Sequence, residues 1–409
     1  MDVAYARGES VAARAAAPAM ALDSVVVLDA NFLWTRQLFG ELASRVPVLF
    51  LEPRDLVTAW GAGWRPSTDY AFRQLGPNLE AKRYVFPPGW FSRCFAPFER
   101  LLAAEIRRWM DRRGVTRTGI AISYPHYAPV VRRVRPAASI YYWSDDFRSY
   151  WPSRRHRTAA LEHAAVELTD LTMCASDAKA RELAGEVPRS RDRIGVLIHG
   201  HHPALLAGAS DRRPAELPAD LAGLPRPIVG HWGHVSRHVD FEIVHAVAKA
   251  LPGATLLFVG PIATDMGDEQ RWFERCRALP NVRFAGPRPY DAVASIVPAF
   301  DVCLALYRPD QPFTRLTNPS KIRDYLATGR PIVTTALPDV VRYWSSMLRI
   351  GRTPCEFAAH VRDVLDGHDR SAEARLAFAR EHTWTRAADR LWDAMNETAG
   401  RSTSGAAHP

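Results

Sequence analysis

From Val25 onward, short apolar runs alternate with segments of helical periodicity. The runs are Val25 to Leu28, Val48 to Leu51, Ile120 to Ser123, Ser139 to Trp143, Leu171 to Cys174 and Ile194 to Ile198. That alternation predicts a doubly wound α/β domain. A second series follows, at Ile228 to Gly230, Thr255 to Gly260, Val282 to Ala285, Val302 to Leu306 and Ile332 to Thr335. Between the two series, Leu206 to Pro227 is rich in Pro, Ala, Gly and charge and shows little apolar periodicity. The organisation expected is a disordered tail over 1–20, a first domain over 21–205, a linker over 206–225 and a second domain over 226–380. A helical segment over 381–397 and a disordered Ser/Gly/Ala tail over 398–409 close the chain.

The clearest local signals surround residue 321. Val302 to Leu306 reads as a strand and Tyr307 to Thr317 as a polar loop. A helix follows, with Asn318 as N-cap and Pro319 at its first position, stopping at Gly329 before the next strand. Lys321 then falls on the third helical residue, where its charge opposes the helix dipole by roughly 0.3–1 kcal/mol. A bound phosphate would reverse that sign, because helix-start amides and an ammonium together form an anion site beyond the carboxyl end of a strand. The alternative is a solvated lysine in a first helical turn.

Composition bounds the function classes. A chain of 409 residues with 47% hydrophobic content suits two domains and excludes disorder as the main state. No apolar stretch approaches the roughly 20 residues of a membrane span. The first twenty residues have no apolar core and contain Asp2 and Glu9, which argues against a secretory signal. Cys94, Cys174, Cys276, Cys303 and Cys355 lack CxxC spacing and read as reduced thiols of a cytoplasmic protein. The net charge of +9 is compatible with nucleic acid, anionic lipid or an acidic small molecule, but the arginines are scattered and specify none of them. Phe86 to Arg113 combines aromatics with Arg100, Arg107, Arg108, Arg112 and Arg113. Its Leu101, Leu102, Ile106 and Trp109 face is expected to pack on the sheet; the alternative is peripheral contact with an anionic membrane, on the inner face of the cytoplasmic membrane.

The run NPSKIRDYLATGRPIVTTALPDV resembles the nucleotide-sugar signature of GT-B glycosyltransferases. Motif order from Val25 to Leu391 is similar to the glycosyltransferase group 1/family 4-like, bacterial exopolysaccharide branch, including teichuronic-acid-type enzymes and, more distantly, the xanthan glucuronosyltransferase. Only the segment around Lys321 is specific. The resemblance implies two Rossmann-like doubly wound domains facing across a cleft, with a terminal helix crossing back onto the first. It also implies a nucleoside diphosphate sugar as donor, a saccharide or lipid-linked acceptor in cell-surface or exopolysaccharide synthesis, and no metal or other cofactor.

On the donor side the resemblance points to Lys321 with Arg237 or His238 for the diphosphate. Gly233 in the loop GHWGHVSR permits close backbone approach, and Asp324 is placed to accept ribose hydroxyls. Pro287 and Arg288 follow a strand where the family cradles the nucleobase through its backbone. Thr317, Asn318 and Ser320 stand at the helix start, as phosphate donors or as caps. Leu316 occupies the place of an earlier family carboxylate, which puts a mechanism needing that group in doubt. For the catalytic base the branch implies Asp145 after Ser144, with Asp146 and His126 as further candidates; capping by the aspartates and a structural histidine are the alternatives. Asp29 and Asn31 end the first strand, in reach of the acceptor or the sugar, Trp34 and Arg36 resemble the family's aromatic-then-Arg opening of the first helix, and in His199 to His202 a histidine replaces the family's asparagine before glycine. Other readings are a nucleotide-sugar 2-epimerase of the same architecture and a non-catalytic scaffold. Nucleic acid is not expected, because no basic-aromatic stacking platform is present.

Overall fold

The computed structural model describes residues 21–56, 71–86, 95–150, 152–209 and 215–404. The chain forms two sheets. The first contains β1 (Ser24–Leu28), β2 (Val48–Asp55), β3 (Arg73–Gly76), β4 (Leu79–Phe86), β5 (Thr118–Ile122), β6 (Ala138–Trp143), β7 (Leu171–Cys174) and β8 (Ile194–Val196). Their order is β3-β4-β2-β1-β5-β6-β7-β8, and only β3 runs antiparallel to its neighbour. The second sheet is wholly parallel, with β9 (Ile228–Trp232), β10 (Thr255–Val259), β11 (Val282–Phe284), β12 (Val302–Ala305), β13 (Ile332–Thr335) and β14 (Arg349–Gly351) in the order β11-β10-β9-β12-β13-β14. Strand order reverses beside β1 in one sheet and beside β9 in the other, and such switch points open crevices at the carboxyl ends.

Alternate residues of each strand feed opposite cores. Val26 and Leu28 pack with Trp109 and Ile106 of the helix Phe95–Arg113, while Val25 and Val27 pack with Phe39 and with Trp384, Leu391 and Met395 of the last helix. In the second sheet Ile228 and Leu257 face the helix Ser320–Thr328, whereas Val229 and Leu256 face Val244 and Val361. The last helix, Trp384–Ser404, therefore seals the first domain although the preceding helix, Ala372–Glu381, packs on the second.

Several sequence expectations change. The last helix continues past 397 to Ser404 because Ala399 is still buried against the first-domain core; residues 405–409 and the expected tail over 1–20 lie outside the described residues. Part of the expected linker is core, since Leu217 and Leu221 pack into the second domain. Strands β3, β4 and β14 were not expected. β4 is masked by Glu80, Lys82 and Arg83, and its Glu80 is buried only because Trp109 Nε1 donates at 2.6 Å and Arg112 at 2.7 Å. Arg113 also pairs with Glu80, Arg108 with Glu105, and Arg107 donates to the Arg133 carbonyl. Residues 87–94 of the aromatic-basic segment, Cys94 among them, lie outside the described residues; Cys174, Cys276 and Cys303 are buried free thiols and Cys355 is an exposed one.

Candidate active site

A cavity of about 1300 Å³ lies between the domains, lined from the first by Trp34, Ser144, Asp145 and His199 and from the second by Gly233, Tyr307 and Lys321. The turn after β9 carries the second-domain wall. Gly233 sits at φ 121°, a backbone conformation that favours glycine, and a Cβ there would stand 3.1 Å from Lys321 Cε, so the glycine gives the lysine room to pass the turn.

Lys321 is buried on this wall. Its Nζ lies 3.0 Å from His231 Nε2 and 4.8 Å from the centre of the Tyr307 ring. When protonated the amine only donates, and His231 then accepts through Nε2 and carries its proton on Nδ1. Among the described residues no carboxylate forms an ion pair with Lys321. Burial lowers its pKa to about 7. His231 is driven well below its ordinary value by burial and by the neighbouring lysine.

The helix itself begins at Ser320, with Pro319 at the N-cap and no side chain capping it; it ends at Gly329 with φ 69°. Lys321 is thus the second helical residue rather than the third. Asn318 is not the cap because its side chain is committed elsewhere: Oδ1 accepts from Arg323, and Nδ2 donates to Asp339 at 2.9 Å. Thr317 Oγ1 donates to the Phe313 carbonyl at 2.8 Å. Thr317, Asn318 and Ser320 all line the cavity.

Asp324 also lines the cavity, buried, and accepts from the His202 amide at 2.9 Å and Tyr290 Oη at 3.1 Å. Burial raises its pKa. Arg323 makes no ion pair with it among the described residues; its guanidinium turns instead to Asn318 and, at 3.0 Å, to His199 Nδ1. Arg237 and Arg288 line the cavity, Arg288 paired with Asp220, while Pro287 is not among the lining residues. His238 is held by Gln311 and stacks on Phe313 with ring centres 4.6 Å apart.

Of the three candidates for catalysis, only Asp145 reaches the cavity. Its Oδ1 accepts from the Asp146 amide at 2.8 Å, Tyr150 Oη donates to Oδ2, and burial raises its pKa. Asp146 points away and caps the helical turn Phe147–Tyr150, accepting from the Arg148 amide at 3.2 Å and from Ser149 Oγ. His126 stacks on Tyr124, centres 4.5 Å apart, and burial pulls its pKa down to about 4. Neither lines the cavity, because Asp146 is consumed as a cap and His126 by stacking.

Two features escaped sequence reasoning. His231 sits inside an apolar strand, where nothing in the sequence marks it as Lys321's partner. The second is a buried charge cluster behind Asp145. Glu162 accepts from Trp143 Nε1 at 3.0 Å and Lys179 Nζ at 3.1 Å and pairs with Arg148, which also binds Glu186 at 2.6 Å. Three separate helices supply these charges, and only the fold gathers them.

Two parallel-sheet domains closing on a cavity at their carboxyl edges, with the last helix returning to the first domain, define the GT-B fold of glycosyltransferases. Residues 237–393 match the family model described as glycosyl transferase-like, which makes the second domain glycosyl transferase-like. A putative teichuronic acid biosynthesis glycosyltransferase, TuaH of Bacillus subtilis (strain 168), is 27% identical over 236 residues, 56% of this chain and 58% of that relative, so the similarity spans little more than half of its length. A UDP-forming α,α-trehalose-phosphate synthase from Burkholderia vietnamiensis superposes with a TM-score of 0.65 at 11% identity, covering 94% of this chain and 99% of the other. Anabaena Alr3699/HepE, in complex with UDP and glucose, gives 0.58 at 14% identity over 91% and 98%.

Proposed function

We propose that the chain is a glycosyltransferase that moves a sugar from a nucleoside diphosphate sugar to a saccharide or lipid-linked acceptor in cell-surface polysaccharide synthesis. The observation that carries this reading is Lys321: a buried ammonium on the wall of an inter-domain cavity, beside an uncapped helix start, with no carboxylate ion pair among the described residues. A diphosphate supplies the missing charge, and its departure in the transfer step is where such a cation stabilises most. The UDP and glucose bound in a structural neighbour and the similarity to the Bacillus teichuronic acid biosynthesis glycosyltransferase support the same class.

Within this reading Lys321 and the amides of the helix start hold the pyrophosphate, with Arg237 above it. Asp324 orders the ribose while keeping its bonds to His202 and Tyr290, and Arg288 borders the nucleobase. Asp145 accepts the proton of the acceptor hydroxyl. This reading invokes no resident metal. No helix among the described residues is long and apolar enough to cross a membrane. In this reading a lipid-linked acceptor is met by peripheral contact at the inner face of the cytoplasmic membrane.

Calorimetry with UDP-, GDP- and dTDP-linked hexoses tests the reading. One of them binds the wild type, and Lys321→Ala loses that binding by roughly a hundredfold, the loss expected for a buried charged contact. Equal affinity in both proteins overturns the assignment.

A further inference from the structure

His199 stands at the cavity between the two domains. It is 3% exposed, in a pocket made by Trp34, Tyr142 and Trp384, with ring centres 5.7, 6.0 and 5.5 Å away. Gly200 makes this seat possible, because a Cβ at that position would lie 2.3 Å from the Trp384 backbone nitrogen. The ring is therefore flanked on three sides by the helix Leu33–Gly40, β6 and the last helix.

Its protonation follows from one contact. Arg323 NH2 lies 3.0 Å from His199 Nδ1, and a guanidinium can only donate. Nδ1 must therefore be the unprotonated nitrogen. Burial and the same guanidinium hold the ring neutral, its pKa well below the ordinary histidine value. A neutral ring with Nδ1 unprotonated carries its proton on Nε2. That N–H has no hydrogen-bond partner among the described residues, although the side chain lines the cavity. A buried donor left unmatched costs about 1–3 kcal/mol, so a partner is expected from outside the protein.

We propose that His199 is a neutral hydrogen-bond donor of the first domain, its tautomer set by Arg323, and that its Nε2–H binds an oxygen of the nucleoside diphosphate sugar. This rests on the donor reading above and adds a residue to it. The partner oxygen is a sugar hydroxyl or a diphosphate oxygen; both accept from a neutral N–H. Because Arg323 belongs to the same helix as Lys321, the arrangement makes one helix serve the donor twice. Lys321 acts directly, and Arg323 acts by fixing the face that the opposite domain presents.

The test uses His199→Phe, which keeps a ring in the aromatic seat, and His199→Gln, which restores an N–H donor. Calorimetry is run on both and on Lys321→Ala with the nucleoside diphosphate sugar selected from UDP-, GDP- and dTDP-hexoses, and with the corresponding free nucleoside diphosphate. His199→Phe is expected to weaken the sugar donor about tenfold and His199→Gln to recover part of that loss. Loss for the sugar donor alone assigns the sugar oxygen; equal loss for the free diphosphate assigns the phosphate. Imidazole nitrogen NMR of the full wild-type chain provides a readout independent of variant folding. It should show the Nε2–H tautomer, with its Nε2 signal shifting on donor addition. An Nδ1–H tautomer, or undiminished affinity in His199→Phe while Lys321→Ala loses it, overturns the proposal and leaves the transferase reading standing. A wild type that binds none of the donors overturns both.

Discussion

Asp339, in the second domain, accepts hydrogen bonds from the backbone amides of Asp177 and Ala178 in the first, each at 3.0 Å. These are the opening amides of the helix Asp177–Glu186, so a carboxylate of one domain caps a helix of the other. Asn318 Nδ2 binds the same carboxylate at 2.9 Å, and Asn318 also meets Arg323, which reaches His199. A buried polar chain thus runs from the domain junction to the cavity.

Removing its anchor should loosen the junction. Asp339→Ala leaves two amides and an asparagine without their acceptor and is expected to cost about 2–4 kcal/mol. Urea unfolding measures the cost, and small-angle scattering of the folded variant should show a larger radius of gyration. An unchanged midpoint together with an unchanged radius would deny that the contact holds the domains.

The lysine at the cavity wall predicts a pH signature. Its folded pKa of about 7 lies below the ordinary lysine value of 10.5, so between those values the unfolded chain holds a proton that the folded chain lacks. Stability contributed through this group therefore rises with pH from about 7 to about 10.5 and is lowest when the buried amine is charged. The stability advantage of Lys321→Met over the wild type, read as a difference in melting temperature, should shrink as pH rises across that window. A bound diphosphate restores the charge, so donor binding at pH 8 should take up a proton, measurable by calorimetry in buffers of different ionisation enthalpy.

Asp145 should separate binding from transfer. Asp145→Asn is expected to bind the donor like the wild type and to lose transfer by about 10²–10⁴-fold. The acid side of the transfer profile should follow its raised pKa, activity falling as pH drops and the carboxylate takes up its proton. Tyr150 Oη donates to that carboxylate and lowers its pKa, so Tyr150→Phe should move the acid limb to higher pH. Movement to lower pH, or full turnover in Asp145→Asn, would remove Asp145 from the role of base.

Glu162 supports the same loop from behind. It compensates the buried cations Arg148 and Lys179, so Glu162→Gln should cost about 3–5 kcal/mol, as breaking a buried ion pair does. Chemical denaturation reads this directly. A cost near zero would mean that the cluster is hydrated and contributes no rigidity to the turn bearing Asp145.

Alternation of apolar runs and helical segments determined that there are two parallel-sheet domains, because buried parallel strands must be apolar on both faces whatever surrounds them. Ile332–Thr335 and Leu171–Cys174 begin and end where their residues say. The stop at Gly329 was equally local, since it depends on a single residue's own backbone. The anomaly at Lys321 could also be read, because a cation in a first helical turn is a local feature.

Tertiary structure alone decided which polar groups are spoken for. Asn318 has the chemistry of a cap, yet Asp339 and Arg323 claim it; Asp146 resembles its neighbour Asp145 but is turned inward to cap the next turn. β4 was hidden by charges that Trp109, Arg112 and Arg113 neutralise from a helix about 30 residues away, a span over which hydrophobic period carries no information. Local propensity is a property of a few consecutive residues, whereas hydrogen-bond satisfaction in a buried site depends on partners delivered from the opposite domain.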